Sequence, residues 1–368
     1  MAGVAERAAA RVVDVPAYSP GRPSPGPAAG KLSSNEAPLG PSPAVQAAIS
    51  AALSRANRYP EPGRAADTLA GYVGVAPDQL ILTNGSDELC YLVASLLLGP
   101  GRVAVLGEPC YQIDATASLL SGARLRRVPL RPDGGHDLPA MAKACEGAAV
   151  VWLPSPHNPT GVAAAPAELT GFLAEVPEDC LVVLDEAYRA FSDEKVRPDA
   201  VGLLAHHPNL LVQRTLSKDW ALAGLRVGYG LASPPIVAAL SRARPPFSVN
   251  ALALAAIEAG AAGEAWRAMS VAMVQRERAR LESALGTLGI EHFPSQANFV
   301  TARLDLERLA PALAASGTVL RSGADLGLPG WARISIGWPP QMAVLRSTLY
   351  SAYPALDAAT TATTRKEP

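Results

Sequence analysis

Seven short apolar segments constrain what this chain can fold into. They are residues 79–83, 102–106, 125–128, 149–153, 180–184, 210–215 and 226–231, with helical windows or loops between them. Near-continuous apolar strands alternating with helices are covered on both faces, which predicts an α/β fold with a largely parallel sheet. Open sheets of this kind take their ligands beyond the carboxyl ends of the strands, and the chemically distinctive residues of this sequence fall there. At 368 residues the chain is too long for one simple core, and two domains are expected. Residues 1–43, rich in Pro, Gly and Ser from 16 onward, read as an N-terminal arm. Residues 44–245 carry the large domain. Residues 235–285 read as long Ala- and Arg-rich helix, and strands at 297–301 and 332–336 belong to a smaller domain spanning 246–357. The Thr-rich stretch 358–368 reads as a flexible tail.

Composition removes several classes of function. The formal net charge is −1, without the basic excess that binding to nucleic acid or an anionic membrane requires. Cys90, Cys110, Cys145 and Cys180 are far apart, match no zinc spacing and imply no metal site. The longest apolar run, 92–98, is too short to span a bilayer. The N-terminus has an early acid, Glu6, and no continuous apolar run, unlike a signal peptide. A soluble, cytoplasmic protein is expected.

Lys218 is the residue on which the functional reading turns. The chain has only five lysines, and Lys31, Lys143, Lys195 and Lys366 sit in polar or tail segments. Lys218 alone follows a buried-looking strand, in Gln213-Arg214-Thr215-Leu216-Ser217-Lys218, and precedes Ala223-Gly224-Leu225-Arg226-Val227-Gly228-Tyr229. An amine placed there loses its proton by desolvation and can attack a carbonyl carbon. It looks like the lysine that carries pyridoxal phosphate; the competing reading is a solvated lysine on a strand-to-helix loop.

Such a cofactor needs three further things: an acid facing its pyridine nitrogen, donors for its ring oxygen and a cradle for its phosphate. Asp185 ends the apolar run Leu181-Val182-Val183-Leu184. A carboxylate at that point needs a partner, which a pyridinium N–H or a following helix would each provide. Asn158, in Asn158-Pro159-Thr160-Gly161, and Tyr188, in Asp185-Glu186-Ala187-Tyr188, are candidate donors; alone, the Asn158 string is a turn. Gly85-Ser86-Asp87-Glu88 follows a strand and opens a helical run, as a phosphate site would, and as an ordinary capped helix would. Ser217 adds a hydroxyl, Arg226 can close the cradle, and the Tyr111 ring is placed either to stack on the pyridine or to pack in the core. Together, each at a strand end, they favour the cofactor site over separate bland readings.

These segments resemble the class I/II aminotransferases of the aspartate aminotransferase superfamily, and within them the histidinol-phosphate aminotransferase branch. The resemblance runs from Leu32-Ser33-Ser34-Asn35-Glu36-Ala37-Pro38 through Arg58-Tyr59-Pro60, the Gly85, Asn158, Asp185 and Lys218 segments, to Ala332-Arg333-Ile334-Ser335-Ile336-Gly337. It implies the fold-type I architecture, a large domain with a seven-stranded, mostly parallel sheet and a small domain that closes the site. It implies a homodimer in which Tyr59 reaches the phosphate of the neighbouring subunit's cofactor. It assigns Arg333 to the substrate's acidic end and Arg321 to a substrate phosphate, although Arg321 also reads as a surface ion pair. Tyr18 would cover the site, and Asn35 would line the substrate side.

The sequence departs from the branch at Asp219-Trp220-Ala221 after the lysine, at His157, and at Pro245-Pro246-Phe247-Ser248-Val249-Asn250, which is as similar to threonine-phosphate decarboxylases. The expected activity is transfer of an amino group from a histidinol-phosphate-like donor to a 2-oxo acid, 2-oxoglutarate being the acceptor implied. Lys218 is the general base and Asp185 the partner of the ring nitrogen. The alternatives are decarboxylation of a phosphorylated amino acid and aromatic or secondary-metabolism transamination. A cofactor-sensing regulator is a weaker alternative, since no basic helix-turn-helix precedes residue 32.

Overall fold

The computed structural model describes residues 3–15, 30–260 and 263–353; Tyr18 and the 358–368 segment lie outside the described residues. The chain forms strands β1 (Lys31–Leu32), β2 (Leu80–Thr83), β3 (Val103–Glu108), β4 (Arg124–Pro129), β5 (Val150–Pro154) and β6 (Leu181–Asp185). After these come β7 (Leu210–Thr215), β8 (Gly228–Leu231), β9 (Phe299–Arg303), β10 (Val319–Ser322) and β11 (Trp331–Ser335). Strands β2 to β8 make one seven-stranded sheet in the order β2-β8-β7-β6-β5-β3-β4. β4, β3, β5, β6 and β7 run parallel, whereas β8 is antiparallel to both of its neighbours. That reversal positions the site. β2 runs the same way as β7, so the end of β2 and the start of β8 share the edge at which the five parallel strands end.

Both faces of the sheet are covered, and alternation along each strand decides which core a residue joins. In β5, Val151 and Leu153 pack into one core with Val182 and Leu184, while Val150 and Trp152 pack into the opposite one with Leu181 and Val183. The helix Ala251–Gly260, beyond the expected boundary at 245, adds Ala253, Leu254, Ala256 and Ile257 to the first of these cores.

The window 235–285 is not one helix. It divides into Pro234–Ala243, Ala251–Gly260 and Glu264–Thr287. Pro245 and Pro246 cannot donate backbone hydrogen bonds, and the residue before a proline is pushed from the helical region; Arg244 has ψ 133°. Pairing of β1 with β10 is a further departure from the sequence expectation. It is parallel, joining Lys31 to Val319 and Leu32 to Leu320 across almost the whole chain. The second sheet therefore runs β1-β10-β11-β9, and Leu32 is buried against a separate core that includes Phe299, Val300 and Ile334.

Candidate active site

A cavity of about 940 Å³ opens at the edge where the strands end. Lys218, Asp185, Asn158, Tyr188, Ser86, Asp87, Tyr111, Ser217, Arg226, Asn35, Arg321 and Arg333 all line it. Ser86 and Ser217, 131 positions apart in sequence, meet in this cavity because β2 and β7 run the same way and end at the same edge, both opposite Gly228 at the start of β8.

Lys218 follows β7, and its Nζ donates to the Asn35 carbonyl at 3.1 Å and lies 5.6 Å from the centre of the Tyr188 ring. Burial, and then the Arg333 guanidinium, lower its pKa from 10.5 to about 8, so a neutral amine is accessible near physiological pH. Asp185 closes β6, with Oδ1 accepting from Ala187 N at 2.8 Å. Its carboxyl is pushed up to about 6, chiefly by burial.

Beside them runs a polar chain. Asn35 Nδ2 donates to the Tyr188 hydroxyl at 3.1 Å and Asn158 Nδ2 to the same oxygen at 3.4 Å. Asn158 Oδ1 accepts from Arg333 Nη1 at 2.8 Å, and Arg333 Nη2 donates to the Ser33 carbonyl at 3.0 Å. Asn35 has φ 53°, a left-handed conformation that asparagine tolerates better than most residues. Ser335 and Asn298, which the sequence did not single out, hold it there. Ser335 Oγ accepts from Asn35 N at 2.7 Å and donates to Asn35 Oδ1 at 2.8 Å, and Asn298 Nδ2 donates to the Asn35 carbonyl at 3.0 Å. Their signal was a polar residue within each of two apolar strand windows.

The anion-binding end is built around the helix Gly85–Leu97, whose N-cap residue, Asn84, makes no side-chain cap. Gly85 has φ +76°, and a Cβ there would stand 2.6 Å from Arg226 Nη2. A Cβ on Gly228 would meet Ser86 N at 2.6 Å. Both glycines are thus required for the close approach of Arg226 and β8 to the helix start. Arg226 Nη2 donates to Asp87 Oδ2 at 3.0 Å, and the Tyr111 hydroxyl donates to Asp87 Oδ1 at 3.0 Å. Unpaired helix N–H groups, the Ser217 hydroxyl and a guanidinium at one end of a cavity suit a phosphate. A buried acid at the other side suits a pyridinium N–H. The residues present fit pyridoxal phosphate.

The second sheet brings two arginines together. Arg321 and Arg333 are directly paired across β10 and β11, so their side chains leave the same face. Both are buried, and Arg321 Nη1 lies 3.8 Å from Asp325. Arg321 is therefore not on the surface, although it does have an acidic neighbour. Tyr59 does not line this cavity; it is 78% exposed and stacks on Phe247 at 4.6 Å between ring centres. Below the floor of the site, Glu186 is fully buried and paired with Arg214 at 2.7 Å, an ion pair unnoticed in the sequence because each residue sits in a different apolar segment.

Among the described residues no helix is long and apolar enough to cross a membrane, and no cluster of His, Cys, Asp and Glu could hold a metal ion.

A seven-stranded, mostly parallel sheet with a buried lysine and aspartate at its strand ends defines the fold-type I class of cofactor-dependent enzymes. The sequence pattern of the class I and II aminotransferases matches residues 30–348, and the chain belongs to that family. It is 40% identical over 315 residues to histidinol-phosphate aminotransferase 1 of Dechloromonas aromatica, covering 85% of this chain and 87% of that one. It is 42% identical over 316 residues to histidinol-phosphate aminotransferase 2 of Pseudomonas fluorescens Pf-5, covering 84% and 85%. Among solved structures, histidinol-phosphate aminotransferase of Sinorhizobium meliloti in complex with pyridoxal-5'-phosphate superposes with a TM-score of 0.81 at 27% identity, covering 88% of this chain and 90% of that one.

Proposed function

We propose that this protein is a pyridoxal phosphate-dependent transaminase whose amino donor carries a second anionic group, of the histidinol phosphate type, and whose acceptor is a 2-oxo acid such as 2-oxoglutarate. The observation that carries the donor reading is the direct pairing of Arg321 with Arg333 in the wall of the cavity that holds Lys218. Asp325 already offsets part of the Arg321 charge, and two guanidiniums on one wall give a substrate with two anionic groups a place for each. The kinship to two histidinol-phosphate aminotransferases supports the same reading.

In this reading Ser86, Ser217 and Arg226 hold the phosphate, Gly85 keeps its approach open, and Tyr111 stacks on the ring. Asp185 faces the ring nitrogen and keeps a proton on it. Asn158 and Tyr188 direct hydrogen bonds to the ring oxygen. When bound, the cofactor supplies an electron-withdrawing ring that stabilises the electron pair left when a bond at the substrate's Cα breaks. Lys218 Nζ, released from the Asn35 carbonyl, takes the Cα proton as general base; its lowered pKa suits that task near neutral pH. Arg333 binds the acidic end of the substrate, with Asn158 and the Ser33 carbonyl fixing its plane. Asn35 holds the wall of the substrate side. Tyr59, exposed with Phe247, reaches into the site of a second copy in a homodimer, and sedimentation at micromolar concentration tests that assembly.

The test of the reaction is a single turnover. Cofactor-loaded protein is mixed separately with L-histidinol phosphate, phenylalanine and threonine phosphate, and the cofactor is extracted. Conversion to pyridoxamine phosphate by histidinol phosphate, fastest of the three, is the expected result. Conversion by phenylalanine alone would overturn the phosphate assignment, and carbon dioxide release from threonine phosphate without conversion would make the protein a decarboxylase.

A further inference from the structure

A polar cluster outside the cavity lining lies where β7 meets the helices Gly85–Leu97 and Gln112–Leu120 that cover one face of the sheet. Gln213 is the parallel-strand partner of Asp185, one strand over in β7, and is completely buried. Its Oε1 accepts from Cys90 Sγ at 3.4 Å. The same thiol lies 3.6 Å from Asp114 Oδ1 and 3.7 Å from the Ser86 carbonyl. A thiol has one proton, and Gln213 Oε1 is its nearest acceptor. That contact fixes which end of the amide is which: Oε1 points to Cys90, and Nε2 is left as a buried donor with no hydrogen-bond partner. A buried N–H of this kind is costly unless an acceptor takes it up.

The polarity of the cluster runs in one direction. Burial, and then the neighbouring acids, hold the Cys90 thiol well above its ordinary range, so it stays a donor. Burial and then Asp185 raise the Asp114 carboxyl well above the ordinary carboxylate range in the same way, against a lowering contact from Cys90. At Asp185 itself, burial raises the pKa, the Ala187 N–H and Gln213 lower it, and Asp87 and Glu186 raise it. Of the groups facing this carboxyl, Gln213 is the side chain that favours its charged form.

We propose that Gln213 is a positioning residue for Asp185: its Nε2–H, unpartnered in this structure, oriented by the Cys90 contact on Oε1 and set beside Asp185 by the strand register, turns onto the Asp185 carboxylate and keeps it ionised and directed toward the cavity. The proposal rests on the reading of the cavity as a pyridoxal phosphate site, where an ionised Asp185 is what holds the ring nitrogen protonated. A neutral amide donor would do this without placing a second charge in the core, where a lysine or arginine would have to be desolvated.

The test compares cofactor-free wild type with Gln213→Met, which keeps the volume and removes the donor. The dissociation constant for pyridoxal phosphate is measured by equilibrium dialysis from pH 5 to pH 8, beside the melting temperature of each apoprotein. The expected result is a melting temperature close to wild type, an affinity lower by about tenfold, and an acid limb of the affinity profile displaced upward by about one pH unit. A merely space-filling glutamine would leave that limb where it is. A folded Gln213→Met protein with wild-type affinity and an unshifted limb overturns the proposal. Failure of the wild type to bind the cofactor overturns the underlying site reading instead. Should Gln213→Met not fold, Cys90→Ala is measured in its place; it frees the amide to turn, and an affinity unchanged from wild type refutes the orientation argument.

Discussion

Replacing Lys218 by methionine should stabilise the cofactor-free protein at neutral pH. Burial, and secondly Arg333, depress the folded-state pKa of Lys218 from 10.5 to about 8. A group whose folded pKa is lowered in this direction binds fewer protons folded than unfolded, so the folded state is penalised wherever the unfolded lysine is charged. The penalty is fully present below pH 8 and fades as the pH rises toward 10.5. The shift corresponds to about 3 kcal/mol at pH 7, reduced to about 2 because the side chain keeps some solvent contact. Methionine fills similar space and loses the hydrogen bond to the Asn35 carbonyl, worth about 1 kcal/mol. The net expectation is a gain of about 1 kcal/mol at pH 7 and a loss of about 0.5 kcal/mol at pH 10, where the lost hydrogen bond outweighs the residual penalty. Urea unfolding followed by circular dichroism, at both pH values and without cofactor, measures it. A variant less stable than wild type at pH 7, or a difference that does not change between the two pH values, would refute the claim that the site holds this amine against its charged form.

Other substitutions separate the parts of the site. Gly85→Ala places a Cβ at φ +76° and 2.6 Å from Arg226 Nη2; it should cost about 1–2 kcal/mol of stability and weaken cofactor binding, read by thermal melts and dialysis. Arg333→Lys cannot reproduce the fork to Asn158 and the Ser33 carbonyl, so kcat/KM should fall by about 10- to 100-fold while cofactor affinity is retained. Glu186→Ala leaves Arg214 buried without its carboxylate, and should cost about 3–5 kcal/mol in chemical denaturation.

The sheet and the cofactor end of the site were legible in the sequence because both are local. Apolar segments of four to six residues carry their own strand signal, and the residue just past each strand end is placed by the fold rule for open sheets. Lys218, Asp185, Asn158 and Ser86 could therefore be assigned to one edge before any contact was known. What local pattern cannot encode is pairing over long separations. β1 has two residues, too short for any periodicity, yet it brings Asn35 to Lys218. The register that sets Arg321 against Arg333 likewise depends on how two strands slide past each other. Gln213 read as one more residue of an apolar strand, and its contact with Cys90, which in turn reaches Asp114, joins elements far apart in sequence. Pro245 and Pro246 were visible, but the alanine-rich composition on either side outweighed them in the helix reading. Tyr59 is exposed and does not line the cavity of its own chain, so nothing local in the sequence ties it to the site.

The central claim is that one amine among five carries the cofactor. Borohydride reduction of the pyridoxal phosphate-loaded protein fixes the cofactor to whichever amine holds it, and peptide mass spectrometry then locates the added mass. The structure predicts stoichiometric label on the peptide containing Lys218 and none on Lys31, Lys143, Lys195 or Lys366. Label on any of those four, or a folded protein that takes up none, would contradict the account.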